Sequence, residues 1–377
     1  MTERCNEVPD CADSSDEFFC ELIGFHGKSY RKLIAPKENN GKRTKVEINL
    51  NIEDIKNIDE LNMKFSSRVT ITIKWKDVRL FFKNLGGQDN LAEEEVNAIW
   101  KPPLILSNSL NLESVLKNEY LLVTIQQLIP GKPNNEKQLY EGTTHDGNEN
   151  DLIMSAKVDT DFSCSYDLHS YPFDTQICTI DISSPDNLIK DIKLIPGAIV
   201  YSGKIESLPQ FHFNIGEIKA NENGTTISGF IRLKRIPFYH ILCTYLPTVC
   251  IILMAIITLY IDESHFEATI MVALTAMLVL YTLFQSISEN MPPTAYLKLL
   301  DIWLIFGLIL PFIIFIIEVS WELMKQMDCD VVRSMDPLLK SGKTKCKIAV
   351  QIFIPIICGL FTIIYVIIVY IQYYQLN

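Results

Sequence analysis

Cys164-Ser-Tyr-Asp-Leu-His-Ser-Tyr171-Pro172-Phe173-Asp174-Thr-Gln-Ile-Cys178 sets two cysteines, with 13 residues between them, around an aromatic, proline-containing turn. A disulfide closing a loop of this size contributes ~3 kcal/mol by the chain-entropy argument, provided that the compartment is oxidising. The rest of the chain says which compartment that is. Of 377 residues, the first 235 carry 27 Lys+Arg and 35 Asp+Glu, a net of −8, and the last 142 carry 7 and 10, a net of −3. Charge is crowded ahead of residue 236, and the remainder of the chain is apolar. The acidic balance, with no basic patch, argues against a nucleic-acid partner. A hydrophobic content of 48 % excludes global disorder.

Four segments meet or approach the length needed to cross a bilayer, about 20 apolar residues of helix. Ile236–Ile261 and Ala268–Ser288 contain no Asp, Glu, Lys or Arg, and neither do Ile302–Ile317 or Ile348–Asn377. The expected helices are about 237–261, 268–290, 301–322 and 348–372. Lys325, Arg333, Lys340, Lys343, Lys345 and Lys347 lie between the third and fourth, against Lys298 alone between the second and third. The positive-inside rule puts the basic segment in the cytoplasm, so both termini lie outside. Export of the first 235 residues implies a signal peptide, and Met1–Cys20 has no apolar stretch to act as one, so the leader is expected to be absent from this chain.

The exported part reads as strands. Val46, Ile48, Leu50 and Ile52 alternate at period two, as do Val69, Ile71 and Ile73; Tyr120–Ile125, Phe211–Ile215 and Ile227–Leu233 add further short runs. Asn223-Gly224 between the last two signals a tight hairpin. Many short strands in this length predict an antiparallel β-sandwich over residues 25–235, above a four-helix membrane bundle over 236–377. The fold class is thus an α+β multi-domain membrane protein. Lys132–Asn150 is polar and turn-rich and is expected to be an exposed loop. Cys243, Cys250 and Cys358 fall within spans, and Cys329 and Cys346 in the cytoplasmic segment, where thiols stay reduced.

The cysteine-bounded stretch resembles the signature loop of the Cys-loop receptors, the pentameric ligand-gated ion channels. The resemblance extends from about residue 25 to residue 377. Trp75-x-Asp77-x-Arg79-Leu80 and Ile99-Trp100-x-Pro102 look like the family's strand motifs, with Pro103 where Asp is usual. Arg235-Ile236-Pro237 with Pro247 resembles the entry to the first span, and Met291-Pro292-Pro293-Thr294 the end of the second. The resemblance implies a Cys164–Cys178 disulfide, four further subunits, a plasma-membrane location and no enzymatic activity. Residues 1–24 are similar to the C-terminal half of an LDL-receptor class A module, which implies a Cys5–Cys20 bond and Ca²⁺ held by Asp10, Asp16 and Glu17. Half a module leaves that cage incomplete, and the alternative is a plain acidic terminus. No other cofactor is expected.

By the same resemblance the second span lines the pore. Glu267, Met271, Thr275, Leu278, Thr282, Gln285 and Glu289 succeed one another at steps of three and four, which is one helical face. Leu278 falls at the family's hydrophobic gate, Thr275 and Thr282 offer hydroxyls to a hydrated ion, and Met271 narrows the inner mouth. Rings of Glu267 and Glu289 favour permeant cations, and Phe266-Glu267-Ala268-Thr269 stands where the family's anion channels carry Pro-Ala-Arg. Against this, Tyr296–Trp303 resembles glycine and GABA receptors. The expected function is a cation-selective ligand-gated channel; the alternatives are an anion-selective channel and a non-conducting accessory subunit.

The agonist site departs from the family's pattern. Thr70, Ser107 and Pro185 stand where aromatic residues are common, and Asn223 lies in a short loop without Tyr or paired Cys. A quaternary amine needs ring faces, so the expected agonist is a small polar molecule or a proton, with His169 and His265 as the titratable candidates. Asn223-Gly224-Thr225 is also a glycosylation sequon. For coupling, the resemblance brings Tyr171, Pro172 and Phe173 onto Pro292–Lys298 and pairs Glu60 with Arg235. Loss of current in Arg235→Glu is then expected to be reversed by adding Glu60→Arg.

Overall fold

The computed structural model describes residues 21–27, 30–37, 41–83, 85, 88–110, 122–129, 132–133, 143–203, 209–261, 265–331 and 337–375. Cys5, Asp10, Asp16, Glu17 and Cys20, with the module read from them, lie outside the described residues. In chain order the strands are β1 (Ile23–Phe25), β2 (Thr44–Asp59), β3 (Lys64–Trp75), β4 (Leu80–Lys83), β5 (Gln88–Asn90), β6 (Ile105–Leu106), β7 (Leu122–Gln126), β8 (Lys132–Pro133), β9 (Thr143–Asp146), β10 (Asp151–Ser163), β11 (Thr175–Ser183), β12 (Ile192–Tyr201), β13 (Phe211–Ala220) and β14 (Thr226–Arg235). The helices are α1 (Glu93–Ala98), α2 (Phe238–Thr258), α3 (Phe266–Glu289), α4 (Leu299–Val331) and α5 (Pro337–Gln375).

Two sheets face each other, a six-stranded one ordered β12-β2-β3-β10-β7-β5 and a four-stranded one ordered β13-β14-β11-β6. The two-residue alternation in the sequence is what makes them pack. Val46, Ile48, Leu50 and Ile52 of β2 and Val69, Ile71 and Ile73 of β3 point inward, against Ile180 and Ile182 of β11 and Ile227, Ile231 and Leu233 of β14. Gly229 of β14 lets the sheets meet: a Cβ there would stand 2.6 Å from Leu50 Cδ1. The hairpin between β13 and β14 turns through Gly224 at φ +64, the left-handed region where glycine costs least.

Three features depart from the sequence reading. The pair β12–β2 runs parallel; β12 enters this sheet from the opposite one and not by a hairpin from β2, and only a tight hairpin obliges neighbours to run antiparallel. The expected loop Lys132–Asn150 contributes β8 and β9 to a third small sheet, β1-β4-β9-β8, and buries His145 at 3 % exposure. Third, α4 and α5 run deep into the segment expected as a cytoplasmic loop, since its Glu, Leu, Met, Lys and Gln residues are good helix formers and Pro337 suits a first helical turn.

Phe238–Thr258, Phe266–Glu289, Leu299–Met324 and Lys347–Gln372 are each long and apolar enough to cross a membrane. The outer half of the bundle is locked by aromatic and hydroxyl contacts. Trp303 Nε1 donates to Thr248 Oγ1 at 2.8 Å, the Tyr245 and Tyr365 hydroxyls are 2.6 Å apart, and Phe306 stacks on Phe361 at 3.6 Å.

Candidate functional site

Helix α3 presents two unlike faces. Thr269, Ala273, Ala276 and Leu280 are buried against the other helices. Glu267, Met271, Thr275, Leu278, Thr282, Gln285 and Glu289 are all exposed, with Leu278 at 63 % and Met271 at 61 %. At 3.6 residues per turn the two rows lie about 180° apart. The small residues of the buried row allow close helix approach. The outward row is polar at five of its seven positions. Thr275 and Thr282 satisfy their own protons on backbone carbonyls one turn back, and Gln285 Nε2 donates to Glu289 Oε1 at 3.0 Å. Carboxylates and amides on hydrocarbon are costly, so this face belongs against water rather than lipid.

The junction between sandwich and bundle is organised by Arg235, the last residue of β14. Its Nε donates to Asp174 Oδ1 at 2.7 Å and its Nη2 to Asp174 Oδ2 at 3.2 Å and to Glu60. Its guanidinium lies 4.6 Å from the ring centroids of both Tyr171 and Phe211. Burial opposes the charge, but the hydrogen bonds and charges of Asp174 and Glu60 outweigh it and hold the guanidinium above its ordinary value. The sequence reading paired Arg235 with Glu60 alone. Asp174, at 2 % exposure, is the partner it missed, although the residue stands inside the quoted loop. Gln176 Nε2 in turn donates to Asp174 and to Asp167 O.

Cys164 and Cys178 form a disulfide joining the end of β10 to β11, and so tie the two sheets at the end nearest the membrane. The loop they close docks on the stretch between α3 and α4. His169 O accepts from Leu299 N–H at 2.9 Å and Tyr171 O from Leu300 N–H at 3.2 Å. Leu168 N–H donates to Tyr296 Oη at 3.1 Å, and the Tyr296 ring stacks on His169 at 3.7 Å. Tyr171 Oη lies 3.0 Å from His240 Nε2 at the start of α2, and Phe173 lies 6.1 Å from Tyr245. The Tyr171–Pro172 peptide is cis. These contacts fall at Tyr296, Leu299 and Leu300, the far end of the expected Pro292–Lys298 stretch and just beyond it. Pro292 and Lys298 are themselves buried.

The four positions read for an agonist do not gather within one chain. Thr70 lies on β3 and donates to Glu53 Oε1 at 2.7 Å. Ser107 comes just after β6 on the other sheet and donates to Asp181 O at 3.2 Å. Pro185 leads into a short helical turn after β11, and Asn223 is exposed in the β13–β14 turn, its carbonyl accepting from Arg43 Nη1 at 3.2 Å. His169 is engaged by Asp167, at 2.6 Å, and by Tyr296; His265 stands immediately before α3.

Comparison with known proteins gives this arrangement its relatives. Residues 21–223 match the model of the neurotransmitter-gated ion-channel ligand binding domain. A glutamate-gated chloride channel of Drosophila melanogaster is 24 % identical over 285 residues, covering 71 % of this chain and 58 % of the relative. A gamma-aminobutyric acid receptor subunit beta of Lymnaea stagnalis is 26 % identical over 320 residues, 79 % of this chain and 60 % of the relative. A glycine receptor subunit beta of Rattus norvegicus is 25 % identical over 300 residues, 75 % of this chain and 56 % of the relative. The chain thus spans between 56 % and 60 % of the length of these curated relatives. Four apolar helices beneath such a domain make a multi-pass plasma-membrane protein with its N-terminal domain outside. With more than half of its length matched, the chain belongs to the neurotransmitter-gated ion-channel ligand binding domain family, the Cys-loop receptors.

Proposed function

We propose that this chain is a pore-lining subunit of a pentameric ligand-gated ion channel. The observation that carries the reading is the outward face of α3, a polar row directly opposite the helix's buried row. Five copies arranged with that face inward would enclose a water-filled path, with Leu278 as its hydrophobic constriction. The docking of the Cys164–Cys178 loop on Tyr296, Leu299 and Leu300 supports a mechanical link from the sandwich to the helix that lines this path.

For selectivity, the comparisons reverse the order that the sequence suggested. The Drosophila relative is named a chloride channel, and the Tyr296–Trp303 stretch resembles glycine and GABA receptors. Anion passage is therefore placed ahead of the permeant cations expected from the sequence. Cation selectivity remains the second reading on one specific observation, the exposed Glu267 in the first turn of α3. The names of the relatives carry glutamate, glycine and gamma-aminobutyric acid. We take a small polar molecule of that amino-acid class as the agonist, in keeping with the hydroxyl and backbone groups at Thr70, Ser107, Pro185 and Asn223.

The test is a reversal potential. Leu278→Thr destabilises a closed ring of leucines and should give current without agonist. Reversal near the chloride potential under opposed sodium and chloride gradients is the expected result. Reversal near the sodium potential, abolished by Glu267→Ala, would overturn anion passage in favour of the second reading.

A further inference from the structure

The inner end of the bundle holds a carboxylate that the junction and the α3 face do not use. Glu318 of α4 is 7 % exposed, and neither of its carboxylate oxygens has a hydrogen-bond donor among the described residues. It lines a cavity of about 30 Å³ with Thr258 at the end of α2 and Phe266 and Thr269 at the start of α3. Both threonines face the same cavity, and their hydroxyls also bond within their own helices. Thr258 Oγ1 donates to Ala255 O at 2.7 Å, and Thr269 Oγ1 donates to Phe266 O at 2.8 Å. The carboxylate and two hydroxyl oxygens thus line one cavity, with the hydroxyl protons drawn toward backbone carbonyls. In a low-dielectric interior a carboxylate so placed is costly unless it takes up a proton or a cation sits beside it. The other described charges on the cavity wall are Glu322 and Lys347. Lys347 Nζ lies over the Trp321 ring, 5.6 Å from its centroid, and is not a partner of the Glu318 oxygens.

We propose that this cavity binds a small alkali cation, of the size of sodium, on the Glu318 carboxylate and the hydroxyl oxygens of Thr258 and Thr269. Carboxylate and hydroxyl oxygens are hard donors suited to a hard cation. A single water needs about 10–15 Å³ of such space, so the cavity has room for an ion with one or two waters. The three ligands come from three different spans. The ion would tie α2 and α4 to the first turn of α3, two residues from Glu267, and so fix the inner end of the outward row.

The test is thermal unfolding of the full-length protein, purified in detergent, in sodium chloride against choline chloride at equal concentration and pH. A ligand of the folded state stabilises by mass action, so sodium should raise the apparent Tm by a few degrees and saturate. Thr269→Val, nearly isosteric, should move the half-saturating sodium concentration upward by about tenfold, the equivalent of about 1.4 kcal/mol. Glu318→Gln should remove the sodium response altogether. Equal melting temperatures in sodium and choline would overturn the proposal without recourse to any variant. So would a sodium response left unchanged in Thr269→Val, or a melting temperature that follows pH alone, which would put a proton rather than a metal cation on Glu318.

Discussion

Arg235 Nε donates to Asp174 Oδ1 at 2.7 Å, both side chains being almost wholly buried at 3 % and 2 % exposure. The last residue of β14 is thereby bonded to the loop that docks on the stretch between α3 and α4. Glu60 adds a second acceptor to the same guanidinium. One side chain thus joins β14, the turn after β2 and the Cys164–Cys178 loop at the membrane surface.

That double pairing changes an expectation drawn from the sequence. Arg235→Glu should abolish surface expression or current, since breaking a buried pair costs about 3–5 kcal/mol. Adding Glu60→Arg should not restore it, because the carboxylate introduced in place of Arg235 would still face Asp174. Arg235→Lys keeps the charge and loses the fork that spans both partners, and should give reduced current. Surface labelling with current in the Leu278→Thr background checks all three; full recovery in the double variant would show that Asp174 is not a true partner.

Tyr296 carries the loop-to-linker contact through one hydrogen bond and one stacked ring. Tyr296→Phe removes about 1 kcal/mol of hydrogen bonding, and should shift the opening equilibrium roughly fivefold. Tyr296→Ala removes the stack as well and should shift it further in the same direction. Concentration–response curves, or unliganded open probability, give the ratio.

Thr248→Val should destabilise the bundle while leaving its shape intact. The Trp303 indole N–H is buried and donates to Thr248 Oγ1, and an orphaned buried donor costs about 1–3 kcal/mol. The melting temperature of the detergent-solubilised protein should fall, and Thr248→Ser should restore it.

Acid should weaken the sandwich in a defined direction. The hydrogen bond from Lys157 holds Glu53 below its ordinary 4.5, against an opposing burial effect and with Thr70 adding to the lowering. The Lys64 and Ser66 hydrogen bonds hold Asp161 below 3.8. A carboxylate depressed in the folded state releases its proton more readily there than in the unfolded chain. Its stabilisation is thus present above the unfolded value and lost as pH falls through the folded one. Unfolding monitored from pH 7 downward should be nearly flat to about pH 5 and weaken below about pH 4. Lys64→Gln should lessen that slope only slightly, because water and salt screen an exposed pair.

Much of this architecture is legible in the residues. The alternation of Val46, Ile48, Leu50 and Ile52 announces β2 because one face is core and the other is wet. The steps from Glu267 to Glu289 announce a face because α3 keeps its own buried row of Thr269, Ala273, Ala276 and Leu280 on the other side. What escaped the sequence is long-range. Asp174 looks like one more loop carboxylate until β14 brings Arg235 to it across 61 residues. His145 reads as part of a polar loop because the apolar neighbours that bury it belong to other strands. The acceptors at Thr258, Thr269 and Glu318 lie on three spans, and no spacing within one span reveals them.

The measurement that tests the central claim most directly is thiol reactivity along α3. In a background with Cys243, Cys250 and Cys358 replaced by Ser, a charged, membrane-impermeant methanethiosulfonate should modify Leu278→Cys and Thr282→Cys and change the current through them. Ala276→Cys and Leu280→Cys, on the buried row, should react far more slowly. Equal reactivity on both rows, or faster reaction on the buried one, would contradict the assignment of the outward face of α3 to an ion path.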